Sequence, residues 1–167
     1  MNIHVYPSGK LVVGKHEFCC AIGFGGVRTD KSEGDGATPV GCFVVRRVLY
    51  RPDRLDRPAT RLPTSAIRPT DGWCDDPTAS EYNCQIRIPF HAGHEELWRE
   101  DVLYNIVVVL GYNDQPPIPD LGSAIFLHVA GSNYAATEGC IAVAQKDLVT
   151  VLSSCELYDN VCVMPPN

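Results

Sequence analysis

The chain has 167 residues, enough for one domain with a real hydrophobic core, and its 45% hydrophobic and 20% charged content excludes intrinsic disorder. Fourteen Lys and Arg against 20 Asp and Glu leave a formal charge of −6. That balance argues against nucleic acid and against an electrostatic membrane anchor as partners, and no apolar run approaches a membrane span.

Residues 1–6 read as a short strand entering a turn at Pro7-Ser8-Gly9, with no charged and apolar leader pattern. A cytoplasmic location is the expectation if Met1 is the native start. Residues 43–50, rich in β-branched and aromatic side chains, predict a strand after the turn-like Thr38-Pro39-Val40-Gly41. Residues 51–85 are Pro-rich and read as a long excursion from a sheet, of the kind that tends to carry function. Within it, Trp73 is a candidate lid residue over a substrate or the anchor of a pinned loop. Residues 95–99 read as a helical turn. His91-Ala92-Gly93-His94-Glu95-Glu96 reads as a solvated turn and not a metal site, because Gly93 and Pro89 break the helix that two ligands three apart would need.

Continuous apolar runs at 104–110 and 123–129 predict strands buried on both faces. Leu148, Val151 and Leu152 recur at helical spacing, so residues 145–154 predict an amphipathic helix, and residues 161–164 a last short strand. Many strands and one or two short helices give a mainly β sandwich or open barrel, a single domain over residues 1–167. Eight cysteines occur without Cys-x-x-Cys or paired Cys/His spacing, and most read as reduced, half-buried hydrophobes.

Chemistry concentrates near residue 140. Thr137-Glu138-Gly139-Cys140 places a thiol directly after a glycine at the start of an apolar strand, where backbone amides can face a developing oxyanion. His128 lies twelve residues upstream on a neighbouring predicted strand, and a histidine base beside a cysteine generates the thiolate nucleophile. A core histidine satisfied by a carbonyl is the alternative.

His128 followed by Thr137-Glu138-Gly139-Cys140 resembles the His…Ser/Thr-x-Gly-Cys signature of the L,D-transpeptidase (YkuD-type) catalytic domain. Gly36-Ala37-Thr38-Pro39-Val40-Gly41-Cys42-Phe43 resembles that family's Gly-x-Thr-Pro-x-Gly-x-Phe segment, and the motifs fall in family order over residues 23–143. The resemblance implies a β-sandwich with Cys140 as nucleophile and His128 as general base. It implies further that the Val129 carbonyl orients the imidazole and that the Gly139 and Cys140 amides stabilise the oxyanion. No cofactor and no metal are implied. The implied partner is a peptidoglycan stem tetrapeptide or muropeptide, whose terminal D-Ala is expelled before the acyl group passes to water or to an amine.

Two departures stand out. Many relatives carry a His before the Gly and an Arg two residues after the Cys, where this chain has Glu138 and Ala142. With no evident leader or wall-binding module, the expectation shifts from cross-linking to a cytoplasmic L,D-carboxypeptidase of peptidoglycan recycling. A periplasmic transpeptidase and an inactive wall-peptide-binding domain are the alternatives. Cleaving a terminal D-Ala calls for a cation on its carboxylate, and Arg28, Lys31, Arg68 and Arg87 are the candidates. Ser132 and Tyr134 are candidate rim contacts, and Glu138 either binds a substrate ammonium or faces solvent.

Overall fold

The computed structural model describes residues 1–166. Three short strands open the chain, β1 (Asn2–Tyr6), β2 (Lys10–Val13) and β3 (His16–Ala21), followed by β4 (Val27–Arg28) and β5 (Thr38–Pro39). The long strand β6 (Gly41–Tyr50) precedes β7 (Thr64–Ala66) and a small group, β8 (Asp71–Cys74), β9 (Gln85–Arg87) and β10 (His94–Glu96). The chain ends with β11 (Ile106–Leu110), β12 (Phe126–Val129), β13 (Ile141–Val143), helix α1 (Gln145–Ser154) and β14 (Asn160–Val163). The expected mainly β architecture is what is observed, with one helix among the described residues.

Nine strands pair in the order β11-β12-β13-β3-β2-β1-β14-β6-β7, and β11 also pairs with β6. The closure depends on two strands that serve both layers. The first part of β3 pairs with β2 and its last two residues with β13. Likewise β6 pairs with β14 through residues 41–44 and with β11 beyond them. A sandwich closed in this way exposes few free edges.

The central strands explain where the site sits. Along β11, Ile106, Val108 and Leu110 enter the main core, while Val107 and Val109 enter a second cluster with Trp73, Leu97, Tyr104 and Phe126. The alternation of successive side chains across a sheet produces this split. β12 repeats it: Leu127 and Val129 face the main core, and Phe126 faces the second cluster. The small sheet β10-β8-β9, which begins in the excursion with β8 and continues past residue 85, packs on this second face through Trp73. His128 and Cys140 therefore belong to the side of the sheet beneath a cap. Helix α1 closes the other side through buried Leu148, Val151 and Leu152, as its spacing predicts.

Two expectations change. Residues 94–96 form strand β10 and not the start of a helical turn, because His94, Glu95 and Glu96 pair with Cys74, Trp73 and Gly72 of β8. Tertiary pairing overrides the helix preference of two consecutive glutamates. Cys42 and Cys162 are joined in a disulfide, because the β6–β14 register makes them direct partners. The other six cysteines are free. No described helix is long and apolar enough to cross a membrane.

Candidate active site

The turn that carries Cys140 is held from behind. The Thr137 amide donates to the Ile22 carbonyl at 2.9 Å, and the Thr137 hydroxyl donates to the Cys140 carbonyl at 2.6 Å. Gly139 has φ +127, and a Cβ there would lie 2.8 Å from the Ala37 carbonyl oxygen. At Gly23 a Cβ would stand 2.2 Å from the Gly36 carbonyl and 2.9 Å from the Gly139 Cα. Three backbones thus meet at van der Waals contact behind the thiol, and only glycine permits that approach. Thr38 is fully buried and accepts a hydrogen bond from the Gly23 amide at 2.8 Å. The Thr-Pro segment and the Gly-Cys segment, far apart in sequence, are two sides of one packed turn.

Strands β12 and β13 run parallel with Leu127 opposite Ile141 and His128 opposite Ala142. This pairing brings His128 and Cys140 to one cavity of about 410 Å³, a size suited to a small peptide portion. The imidazole Nδ1 lies 2.9 Å from the Val129 carbonyl oxygen. A carbonyl only accepts, so Nδ1 carries the proton and a neutral His128 presents its Nε2 lone pair. The Tyr104 ring meets the imidazole edge-on at 5.3 Å between centroids.

The Cys140 thiol donates to the Ala124 carbonyl at 3.1 Å and accepts from the Phe126 amide at 3.4 Å. Ala124 adopts φ +53, a strained conformation for a residue with a side chain. Burial first, and the Glu95 carboxylate second, push the thiol up to about 12. Burial likewise lowers His128 to about 4, against support from the Val129 carbonyl. Burial thus disfavours the charged form of both groups, the Cys140 thiolate and the His128 imidazolium alike. The Gly139 amide already donates to the Thr137 hydroxyl at 3.2 Å, so its expected oxyanion role is shared with that contact. Among the described residues the Cys140 amide has no hydrogen-bond acceptor.

Thr137 and Glu138 line the cavity, as does Ala142, whereas other expected substrate contacts lie elsewhere. Arg28 is exposed and paired with Asp30, and Lys31 is paired with Asp35. Arg68 is exposed, and Arg87 borders a separate groove beyond Trp73. Ser132 is exposed on the loop before Thr137, and Tyr134 packs against Ala21, Ala130 and Ala142. Trp73 is the anchor of a pinned loop and not a lid. Its ring stacks edge-on against Phe126 at 4.9 Å, and its Nε1 donates to Asn83 Oδ1 at 3.0 Å. The same oxygen accepts from the Ala124 amide at 3.0 Å, tying the cap to the peptide that holds the thiol.

The structure adds Arg99, Glu95, Tyr104, Asp75, Glu33 and Ser123 to the cavity wall. The Tyr104 hydroxyl donates to Glu95 at 2.9 Å, and the Arg99 guanidinium sits 5.1 Å from the Tyr104 ring centroid. Glu95 was hidden in the segment that sequence reads as a solvated turn, and nothing local marks Arg99. Among the described residues no group of three or more His, Cys, Asp or Glu is placed to hold a metal ion.

The sequence pattern of the L,D-transpeptidase catalytic domain, YkuD, matches residues 2–163. The chain belongs to that family. A search of curated proteins finds no sequence match. Among solved structures, the YkuD domain is similar to that described as the helical cell shape determining protein Pgp2 from Campylobacter jejuni, at 14% identity and TM-score 0.51. The likeness covers 99% of this chain and 48% of that one, so this chain spans about half the length of its structural neighbour. At that identity the likeness speaks for the fold alone.

Proposed function

We propose that this chain is a cysteine L,D-carboxypeptidase that removes the terminal D-Ala from peptidoglycan-derived tetrapeptides. The observation that carries the reading is the shared cavity of His128 and Cys140, with Nδ1 fixed on the Val129 carbonyl. As Cys140 Sγ attacks the carbonyl before D-Ala, Nε2 of His128 takes the thiol proton, and the attack and proton transfer proceed together from neutral partners. The free Cys140 amide faces the charge that develops on the carbonyl oxygen. His128 then protonates the departing amine of D-Ala. Water, deprotonated by the same imidazole, hydrolyses the thioester and frees the tripeptide. Arg99, the arginine of the cavity wall, is paired with the exposed Asp101 and is assigned to the D-Ala carboxylate by exchange of that partner.

Glu138 and Ala142, standing where many relatives have His and Arg, both line the cavity and give this site its own character. Incubation with purified tetrapeptide, followed by mass spectrometry, tests the proposal. Tripeptide and free D-Ala are expected, whereas cross-linked dimers as the main product would assign the chain to transpeptidation. Subcellular fractionation decides the compartment, which the proposal places in the cytoplasm. The Cys42–Cys162 disulfide is of a kind favoured in oxidising compartments, so this arm is not a formality.

A further inference from the structure

The peptide that holds the Cys140 thiol is itself held by one side chain of the cap. Just past the β8–β9 pairing the Asn83 amide donates to the Cys74 carbonyl, and the Cys74 amide donates to the Cys84 carbonyl, each at 2.9 Å. Two residues thus oppose one, a β-bulge, and Asn83 takes a left-handed φ of 57 that asparagine tolerates. Bulges re-aim side chains, and here the carboxamide turns into the protein, where Asn83 is 6% exposed. Its Oδ1 accepts from Trp73 Nε1 and from the Ala124 amide, both at 3.0 Å. Its Nδ2 donates to the Tyr112 carbonyl at 3.0 Å and to the Asn113 carbonyl at 2.7 Å. With N–H donors on the oxygen and carbonyls on the nitrogen, the carboxamide has no capacity left and only one orientation. The flanking Tyr82 hydroxyl accepts from the Gly122 amide at 3.0 Å, so adjacent residues of the cap seat both ends of Gly122-Ser123-Ala124.

Ala124 in turn receives the Cys140 thiol, which donates to its carbonyl at 3.1 Å. The φ of 53 at Ala124 is unfavourable for a residue with a side chain and persists only where neighbours enforce it. The Asn83 contact falls on the amide of that same residue. The Phe126 amide holds the sulfur from within β12 at 3.4 Å, so the Ala124 contact is the one of the two that the cap controls. We propose, on the reading of Cys140 as nucleophile, that Asn83 is a positioning residue: through the Ala124 amide it sets the carbonyl that seats Cys140 Sγ, and so fixes the line of attack on the substrate. Asn83 borders the groove on the far side of Trp73 and not the catalytic cavity, so its action passes through one backbone hydrogen bond. A misplacement of about 1 Å can cost on the order of a hundredfold in rate. A residue that touches no substrate exerts that effect on kcat and not on KM.

Infrared spectroscopy reads the thiol contact directly, because the S–H stretch lies apart from other protein bands and moves to higher wavenumber as its hydrogen bond weakens. Subtracting the spectrum of Cys140→Ala isolates the Cys140 band. Asn83→Gly keeps the left-handed backbone and removes the carboxamide. It is expected to move the band up and to lower kcat for D-Ala release about tenfold or more, with KM within about twofold of the wild type. Trp73→Phe removes only the indole donor and leaves Oδ1 on Ala124, so its band and kcat are expected to stay even where its urea midpoint falls. An unmoved band or a wild-type kcat in Asn83→Gly overturns the proposal. So does a kcat that falls in both variants in step with their urea midpoints, the mark of a merely structural role. Should Asn83→Gly fail to fold, Asn83→Asp decides, since it keeps the acceptor for Ala124 and gives up the two amide donors. A band at the wild-type position then supports the Ala124 contact, whereas a displaced band assigns the placement to Tyr112 and Asn113 and overturns it. If the wild type releases no D-Ala, the catalytic reading falls, and the band still decides whether Asn83 seats the thiol.

Discussion

Replacing His128 by glutamine tests whether the base is held neutral by its surroundings. His128 is 4% exposed, and burial lowers it from 6.5 to about 4. At 1.36 kcal/mol per pH unit, that fall corresponds to on the order of 3 kcal/mol of unfavourable proton binding in the folded state. The sign follows from linkage. Between pH 6.5 and about 4 the unfolded chain takes up a proton that the folded chain refuses, so this group costs stability as pH falls through that window. Below about 4 both states are protonated and the loss is complete. Urea denaturation of the wild type and of His128→Gln at pH 7 and pH 4 gives a double difference in which the other titrating groups cancel. The wild type is expected to lose about 3 kcal/mol more than the variant between the two pH values. An identical pH dependence in both proteins would refute the neutral, desolvated base and with it the concerted attack from a protonated thiol.

Gly139→Ala forces a side chain onto φ +127 and against the Ala37 carbonyl, and a loss of about 1–3 kcal/mol from strain alone is expected in chemical denaturation, with D-Ala release abolished in whatever protein folds. Arg99→Ala should raise KM for tetrapeptides about tenfold or more with little change for a substrate amidated at its terminal carboxyl, as measured by steady-state D-Ala release. Opening the Cys42–Cys162 disulfide, which spans 120 residues, should cost up to about 5 kcal/mol in the chain-entropy account, read as a lower urea midpoint in reductant. Cys42→Ala with Cys162→Ala should lie at the reduced midpoint and ignore reductant.

The parts of the site legible in sequence were those built from short-range chemistry. Gly139 and Cys140 advertise a turn that needs glycine, and His128 stands one strand away. The Thr38-Pro39 segment was legible as a motif, but its position directly behind Cys140 is a product of the Gly23–Gly36–Gly139 packing. The cap was not legible, because Asp71–Cys74 and His94–Glu96 become strands only by pairing with each other across some twenty residues. Glu95 and Asp75 reach the cavity through that pairing, so their acidic character read as ordinary surface charge. Arg99 is an arginine among arginines until the fold places it beside Tyr104. The disulfide was hidden for a related reason, since only the β6–β14 register makes Cys42 and Cys162 neighbours.

D-Ala release from purified tetrapeptide, compared between the wild type and Cys140→Ala, is the most direct measurement of the central claim. The wild type is expected to yield D-Ala and tripeptide in equal amounts, and Cys140→Ala, folded to the same circular dichroism spectrum, to yield neither. Release that persists unchanged in Cys140→Ala would show that the thiol held between Ala124 and Phe126 is not the nucleophile.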